Sequence, residues 1–311
     1  MSASPLRVAV VGVGYLGKHH ARILSSMPGV ELVGVVDTNM KRATEIAAEH
    51  GGRPMLDVRE LEGKVDAVTI AVPTDIHLQI ARPFLAAGLP VLVEKPMAAS
   101  LAEADEMIAL SAKAGATLAV GHTERFNPAV AVARGHLTDP RFIEVHRLGV
   151  FPERSLDIDV VFDVMIHDLD VILSIVKSEV SSIDAAGVPV LTDKVDIANV
   201  RLKFANGCMA NLTASRISRD RVRKIRFFQP QAYLSIDYAA QKVEKYTLDR
   251  ILGIPKINGG ELPVTNEEPL ARELADFVDA VKSKRKPLVD GEQGRRALAL
   301  ADQISSTMTT V

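Results

Sequence analysis

A chain of 311 residues is long enough for two domains rather than one. Its 37 basic and 39 acidic side chains leave a formal charge of −2, so no global positive field exists to hold nucleic acid. Cys208 is the single cysteine, which excludes an internal disulfide and a cysteine-built metal site, and the N-terminal apolar run is too short for a membrane span or signal peptide, so the expected compartment is the cytoplasm.

The first predicted element, Leu6 to Val11, is a short apolar, β-branched run, as in a strand buried on both faces. Gly12, Gly14 and Gly17 follow in G-x-G-x-x-G spacing. Gly12 suits a tight turn, Gly14 lets a pyrophosphate approach the backbone, and Gly17 lets the next helix pack on its strand. That helix starts at the glycines, so its free N–H groups face the phosphates. Tyr15 and Leu16 lie in the same loop and join the expected cofactor contacts. A second strand ends at Asp37, whose carboxylate suits an adenosine ribose and would repel a 2′-phosphate. Strand, glycines, helix, strand and acid in register outweigh the bland reading of a Gly-rich turn. They predict NAD, with NADP the alternative because Lys41 and Arg42 are near.

The alternation continues with a helix over Lys41–His50, a strand over Val65–Val72, a helix over Ile76–Ala87 and a strand at Val91–Val93. Ser100 and Glu103 form a capping box that opens the next helix, and Thr117–Val120 is a fifth strand. Such a pattern implies a doubly wound parallel sheet, in which ligands bind beyond the carboxyl ends of the strands. Pro73, Thr74 and His77 follow the third strand, and Glu94 and Lys95 the fourth, so all five are expected near the cofactor. Lys95 reads equally well as an exposed loop lysine paired with Glu94 or as a functional group. His19 and His20 read as packing or surface residues.

After Thr123 the pattern changes. Phe142–Val150 reads as a strand and Val160–Val176 as a helix. Short alternating runs follow at Ser182–Val190, Ala198–Phe204, Met209–Ala214, Lys224–Phe228, Tyr233–Ile236 and Lys242–Tyr246, with Asn206-Gly207 as a hairpin turn. Gly253–Pro269 reads as a loop, and helices at Pro269–Lys284 and Glu292–Thr307 close the chain. The expected architecture is a Rossmann α/β domain over residues 1–123 and an α+β domain with a large, mostly antiparallel open sheet over 124–311, the closing helices being free to pack back on the first.

The helix from Val160 is apolar nearly all round, yet Asp163, His167 and Asp170 fall at i, i+4 and i+7. Buried polar groups cost about 1–3 kcal/mol each unless satisfied, so the stripe needs either internal partners or a cleft. His167 is either a core histidine or a general base. His122, Asp163 and His167 match no zinc spacing, and no metal is expected. Arg216, Arg219, Arg221, Arg223, Lys224 and Arg226 crowd one segment. If extended, it puts Arg219, Arg221 and Arg223 on one face, suited to a diphosphate or simply to a solvated sheet edge.

Gly12-x-Gly14-x-x-Gly17, Ala71-x-Pro73-x-x-x-His77, Glu94-Lys95-Pro96, Arg125-Phe126-x-Pro128 and Asp163-x-x-x-His167-x-x-Asp170 together resemble the Gfo/Idh/MocA oxidoreductases over nearly the whole chain. The resemblance implies an NAD(P)-dependent enzyme acting on a sugar or cyclitol hydroxyl. Lys95 would bind the reacting oxygen, His167 serve as acid and base, and Asp163 place substrate or tune the pair. Arg125, Arg219 and Arg221 are added as substrate contacts. The glycines many relatives carry around the catalytic Asp are absent, at Asp157–Val161 and Met165. The version here resembles the branch that includes UDP-N-acetylglucosamine 3-dehydrogenases. An inositol or aldose dehydrogenase, transient oxidation driving glycoside cleavage, and a non-catalytic dinucleotide sensor are the other readings. The expected partners are a sugar or nucleotide sugar and further copies of the chain, as a homodimer or homotetramer through the second sheet.

Overall fold

The computed structural model describes residues 4–151, 158–251 and 254–311. It separates into two compact units, Met1–His122 with Leu270–Arg295, and Thr123–Pro269 with Arg296–Val311. Asp157, part of the glycine-poor stretch noted above, lies outside the described residues.

In chain order the first unit holds β1 (Leu6–Val11), α1 (Gly17–Ser26), β2 (Val30–Val36), α2 (Met40–His50), β3 (Arg53–Met55), β4 (Ala67–Ile70), α3 (His77–Ala86), β5 (Val91–Glu94), α4 (Leu101–Ala114) and β6 (Leu118–Gly121). The six strands pair in parallel in the order β3-β2-β1-β4-β5-β6. Sequence order reverses between β1 and β4, which puts a crevice beyond the carboxyl ends of those strands. Valines fill the buried strands because both faces are covered by helices. Ser100 caps α4 by accepting the Glu103 N–H at 3.3 Å, and Gly115 ends it in the left-handed region. The three-residue β3 is an edge strand too short to carry a periodic signal.

The second unit begins with α5 (Pro128–Arg134), β7 (Phe142–Leu148) and α6 (Ile166–Ile175). Strands β8 (Val180–Val188), β9 (Ile197–Phe204), β10 (Met209–Ser215), β11 (Val222–Gln229), β12 (Ala232–Asp237), β13 (Lys242–Ile251) and β14 (Ile254–Leu262) follow. Then come α7 (Pro269–Ser283), which groups with the first unit, α8 (Gly291–Thr307) and β15 (Thr309–Thr310). The nine-stranded sheet has the order β14-β13-β12-β11-β7-β10-β9-β8-β15 and is antiparallel except at β7–β10 and β8–β15.

One face of this sheet is the core. Ile143, Val145, Val200, Leu202, Ala210, Leu212, Ile225 and Phe227 pack against residues of α5, α6 and α8. The other face carries polar pairs, Asn199 to Thr213 and Arg201 to Asn211, and an aromatic row, Phe142, Phe228, Tyr233 and Tyr246. Alternation along each strand produces the two faces. No described helix is long and apolar enough to cross a membrane.

Two expectations need correction. The stretch read as a loop from Gly253 contains β14, which pairs with β13 along its length. Its glycines permit the pairing: a Cβ on Gly259 would lie 2.0 Å from Lys245 O. The helix expected from Val160 starts with a π-helical turn, Val161–Met165, and becomes α-helical at Ile166. The wider turn breaks the simple i, i+4, i+7 face.

Candidate active site

The carboxyl edge of the first sheet is built by close backbone packing. Gly12 has φ of 82°, donates its N–H to Val36 O at 2.8 Å, and would place a Cβ 2.7 Å from Ala71 O. A Cβ on Gly17 would fall 1.8 Å from Gly12 O, so only glycine lets α1 sit this near the loop. Gly14 is different: nothing lies within 4 Å of its Cβ position. Open space therefore meets the backbone at Gly14, next to a helix start with no side-chain cap and no acid in its first turn. An anion is the natural guest of such a helix end.

Asp37 faces the same loop. Its carboxylate accepts the N–H groups of Val13 at 3.0 Å and Asn39 at 2.9 Å. A carboxylate has about four acceptor positions, so two remain for ribose hydroxyls. Tyr15 is 61% exposed, with Lys18 Nζ 5.6 Å from its ring centre. Leu16 and Thr74 are half-buried and Pro73 is exposed. These residues fit a dinucleotide whose phosphates lie at Gly14 and whose ribose meets Asp37.

His77 and Glu94 lie deeper than Gly14, Tyr15 and Leu16 of the glycine loop. His77 is buried, with Nδ1 3.0 Å from Pro96 O and Nε2 2.9 Å from Val72 O. Burial pushes its pKa down, the carbonyl contacts oppose that shift, and the ring braces the turns after β4 and β5. Glu94 is also buried, with Oε1 3.0 Å from His20 Nε2 and Oε2 accepting the Lys95 main-chain N–H at 3.2 Å. Both side chains have these partners within the first unit, so each braces the loops at the carboxyl edge of the sheet. Lys95 itself is half-buried, directly after β5.

In the second unit, Asp163 lies on the π-helical turn and His167 in the first turn of α6, both half-buried. Asp170 lies three residues after His167 on α6. It is buried and accepts from Arg125 Nη1 at 3.1 Å. Arg125, expected at the substrate, is therefore an internal ion pair, 5% exposed. Asp168, which the sequence reading passed over, is fully buried and grips the Arg147 guanidinium through two hydrogen bonds. Burial raises the Asp168 pKa, and the neighbouring guanidinium, which stays protonated, opposes the rise. Arg147 also reaches Glu124 at 3.0 Å and stacks 4.8 Å from the Tyr238 ring centre. Asn127 donates to Glu124 and to Tyr238 O, which ties the loop before α5 into the network. The signal was visible: Arg147 occupies an inward position of β7, in step with Ile143 and Val145.

The arginine cluster divides. Arg216 is buried and clamped to Asp196 at 2.8 Å and Ile158 O at 2.8 Å. Arg226 pairs with Glu144 at 2.7 Å. Arg219 and Arg221 are exposed on the bend between β10 and β11. Strand β11 starts at Val222, so of Arg219, Arg221 and Arg223 only Arg223 lies on it, and all three are exposed.

A family model described as the oxidoreductase family with an NAD-binding Rossmann fold matches residues 6–122, and the GFO/IDH/MocA C-terminal domain matches residues 130–232. The UDP-N-acetylglucosamine 3-dehydrogenase of Acidithiobacillus ferrooxidans is 38% identical over 302 residues, covering 96% of each chain. The chain belongs to the Gfo/Idh/MocA family. The solved structure of that relative superposes with a TM-score of 0.92 at 37% identity over 98% of each chain. The inositol 2-dehydrogenase of Rhizobium meliloti is 26% identical over 324 residues, 96% of this chain and 95% of that one.

This Gfo/Idh/MocA chain is thus an NAD-binding oxidoreductase, with the Rossmann and open-sheet units expected of it. Lys95 belongs to its first unit, and Asp163 and His167 to its second.

Proposed function

We propose that this chain oxidises the 3-hydroxyl of UDP-N-acetylglucosamine to a ketone. The observation that carries the reading is the near-full-length similarity to a UDP-N-acetylglucosamine 3-dehydrogenase. NAD, when bound, supplies the hydride acceptor. Gly12, Gly14 and Gly17 let its phosphates approach the start of α1, and Asp37 accepts from its ribose. Lys95 donates a hydrogen bond to the reacting oxygen and stabilises its developing negative charge. His167, neutral, takes the hydroxyl proton, and Asp163 orients the substrate or the imidazole. The test is NADH formation from UDP-N-acetylglucosamine, free aldoses and inositols, measured side by side. Faster turnover of inositol or a free aldose would replace the nucleotide-sugar reading.

Arg219 and Arg221 are proposed to meet the diphosphate, since they are exposed while Arg216 and Arg226 are committed to acids. UDP alone is then expected to raise the melting temperature. Arg219→Ala or Arg221→Ala should raise KM for the UDP-sugar with little change in NADH binding. No UDP shift and unchanged KM in both variants would remove these arginines from the substrate.

The aromatic face of the second sheet is proposed as a self-association surface, giving a homodimer or homotetramer. Phe228, 37% exposed, stands in a continuous row with Phe142 and Tyr233. Apolar clusters of this kind mark interfaces. Light scattering coupled to size exclusion should return a multiple of 33.6 kDa, and Phe228→Lys should lower it. A monomer at working concentration would reject the assignment.

A further inference from the structure

Three ionisable side chains meet inside the first unit, directly behind Lys95. His20 comes from α1, Glu94 ends β5 and Glu273 comes from α7, and they are 0%, 5% and 1% exposed. One ligand-capable atom of each lies within 4.8 Å of those of the other two. His20 Nε2 is 3.0 Å from Glu94 Oε1, and Glu94 Oε2 holds the Lys95 main-chain N–H at 3.2 Å. The space is shaped for this carboxylate: a Cβ on Gly121, its partner on β6, would sit 3.0 Å from Oε2. Burying two acids and an imidazole is a poor way to hold a helix on a sheet, because apolar side chains of similar volume do it as well or better. Burial by itself would push the Glu94 carboxyl up; the His20 hydrogen bond and charge, then the Lys95 charge, hold it below the usual range. An ionised carboxylate thus stands behind Lys95, contacted from α1, the helix that follows the glycine loop.

We propose that His20 and Glu273 are positioning residues for Lys95: they fix the orientation in which Glu94 grips the Lys95 backbone, and so set where the ammonium stands. The proposal rests on the reading of Lys95 as the group that binds the reacting oxygen. It links the start of α1, where the cofactor phosphates would lie, to the lysine through one buried chain of contacts, and it gives α7 a role in the chemistry of the first unit.

The test uses the full chain with NAD and UDP-N-acetylglucosamine. Glu273→Gln and His20→Gln are expected to lower kcat by about tenfold or more, as small misplacements of a catalytic group do. KM for NAD and the NADH dissociation constant should move by less than about threefold. The decisive measurement combines each change with Lys95→Ala. Residues that act through Lys95 add less than about twofold once it is gone, whereas an independent structural defect multiplies. If His20→Gln does not fold, Glu273→Gln and Glu273→Asp carry the test, with Asp recovering part of the rate. Unchanged kcat, or fully multiplicative losses in the double variants, would overturn the proposal. So would stoichiometric metal in the purified chain that disappears with Glu273→Gln, since the cluster would then be a metal centre. Near-normal turnover of Lys95→Ala alone would take down the Lys95 reading, and the positioning role with it.

Discussion

Replacing Lys95 or His167 with alanine is expected to cut turnover by roughly 10²-fold or more while NADH binding survives. Each residue would supply something water supplies poorly. Lys95 brings a held positive charge to an oxygen that becomes negative as hydride leaves, and single electrostatic groups of this kind contribute about 10²–10³-fold. His167 brings a base near neutral pH, a contribution of about 10²–10⁴-fold. Neither belongs to the glycine loop or to Asp37, so the expected phosphate and ribose contacts stay intact. Lys95→Arg tests geometry against charge: it keeps the charge on a bulkier, planar head, and intermediate activity is expected. Steady-state rates with saturating NAD, beside NADH fluorescence titrations, separate chemistry from binding. Turnover within about threefold of wild type in either alanine variant would return that residue to a packing role.

The second large effect concerns stability. Asp168→Ala should destabilise the second unit by about 3–5 kcal/mol, because it strands a buried guanidinium. Glu124 at 3.0 Å and the Tyr238 ring at 4.8 Å remain beside Arg147, which favours the lower end of that range. A fall in melting temperature of roughly 10 °C follows for a unit of this size. The double change Arg147→Met with Asp168→Leu should cost much less, since it removes both charges and keeps apolar volume. A shift under about 3 °C for Asp168→Ala, or a double variant no better than the single, would mean the pair is not buried as an ion pair. Because Asp168 neighbours His167 on α6, activity should fall with stability in the single variant and recover in part in the double.

Much of the molecule was legible without coordinates. The βα alternation announced the parallel sheet, since strands covered on both faces read as unbroken valine-rich runs. The period-two pattern from β7 to β12 announced the second sheet with its two faces. Gly12 and Gly17 were readable because a tight turn and a close helix approach admit few other residues, and the contacts their missing Cβ atoms would make are the reason. The capping of α4 was readable for the same kind of reason: every atom involved lies within a few residues.

What only the tertiary structure decided is which polar groups are spent inside the protein and which are left for a ligand. His20 meets Glu94 across 74 positions, Arg125 meets Asp170 across 45, and Arg147 meets Asp168 across 21. No local pattern announces such pairs, since they form only when separate elements close on one another. Of the neighbouring arginines in one run, Arg216 vanished into the core, Arg226 took Glu144, and Arg219 and Arg221 stayed outside. Periodicity reports which way a side chain leaves its own strand or helix. Whether an opposite charge is waiting there depends on chain brought in from far away, and that is settled by packing.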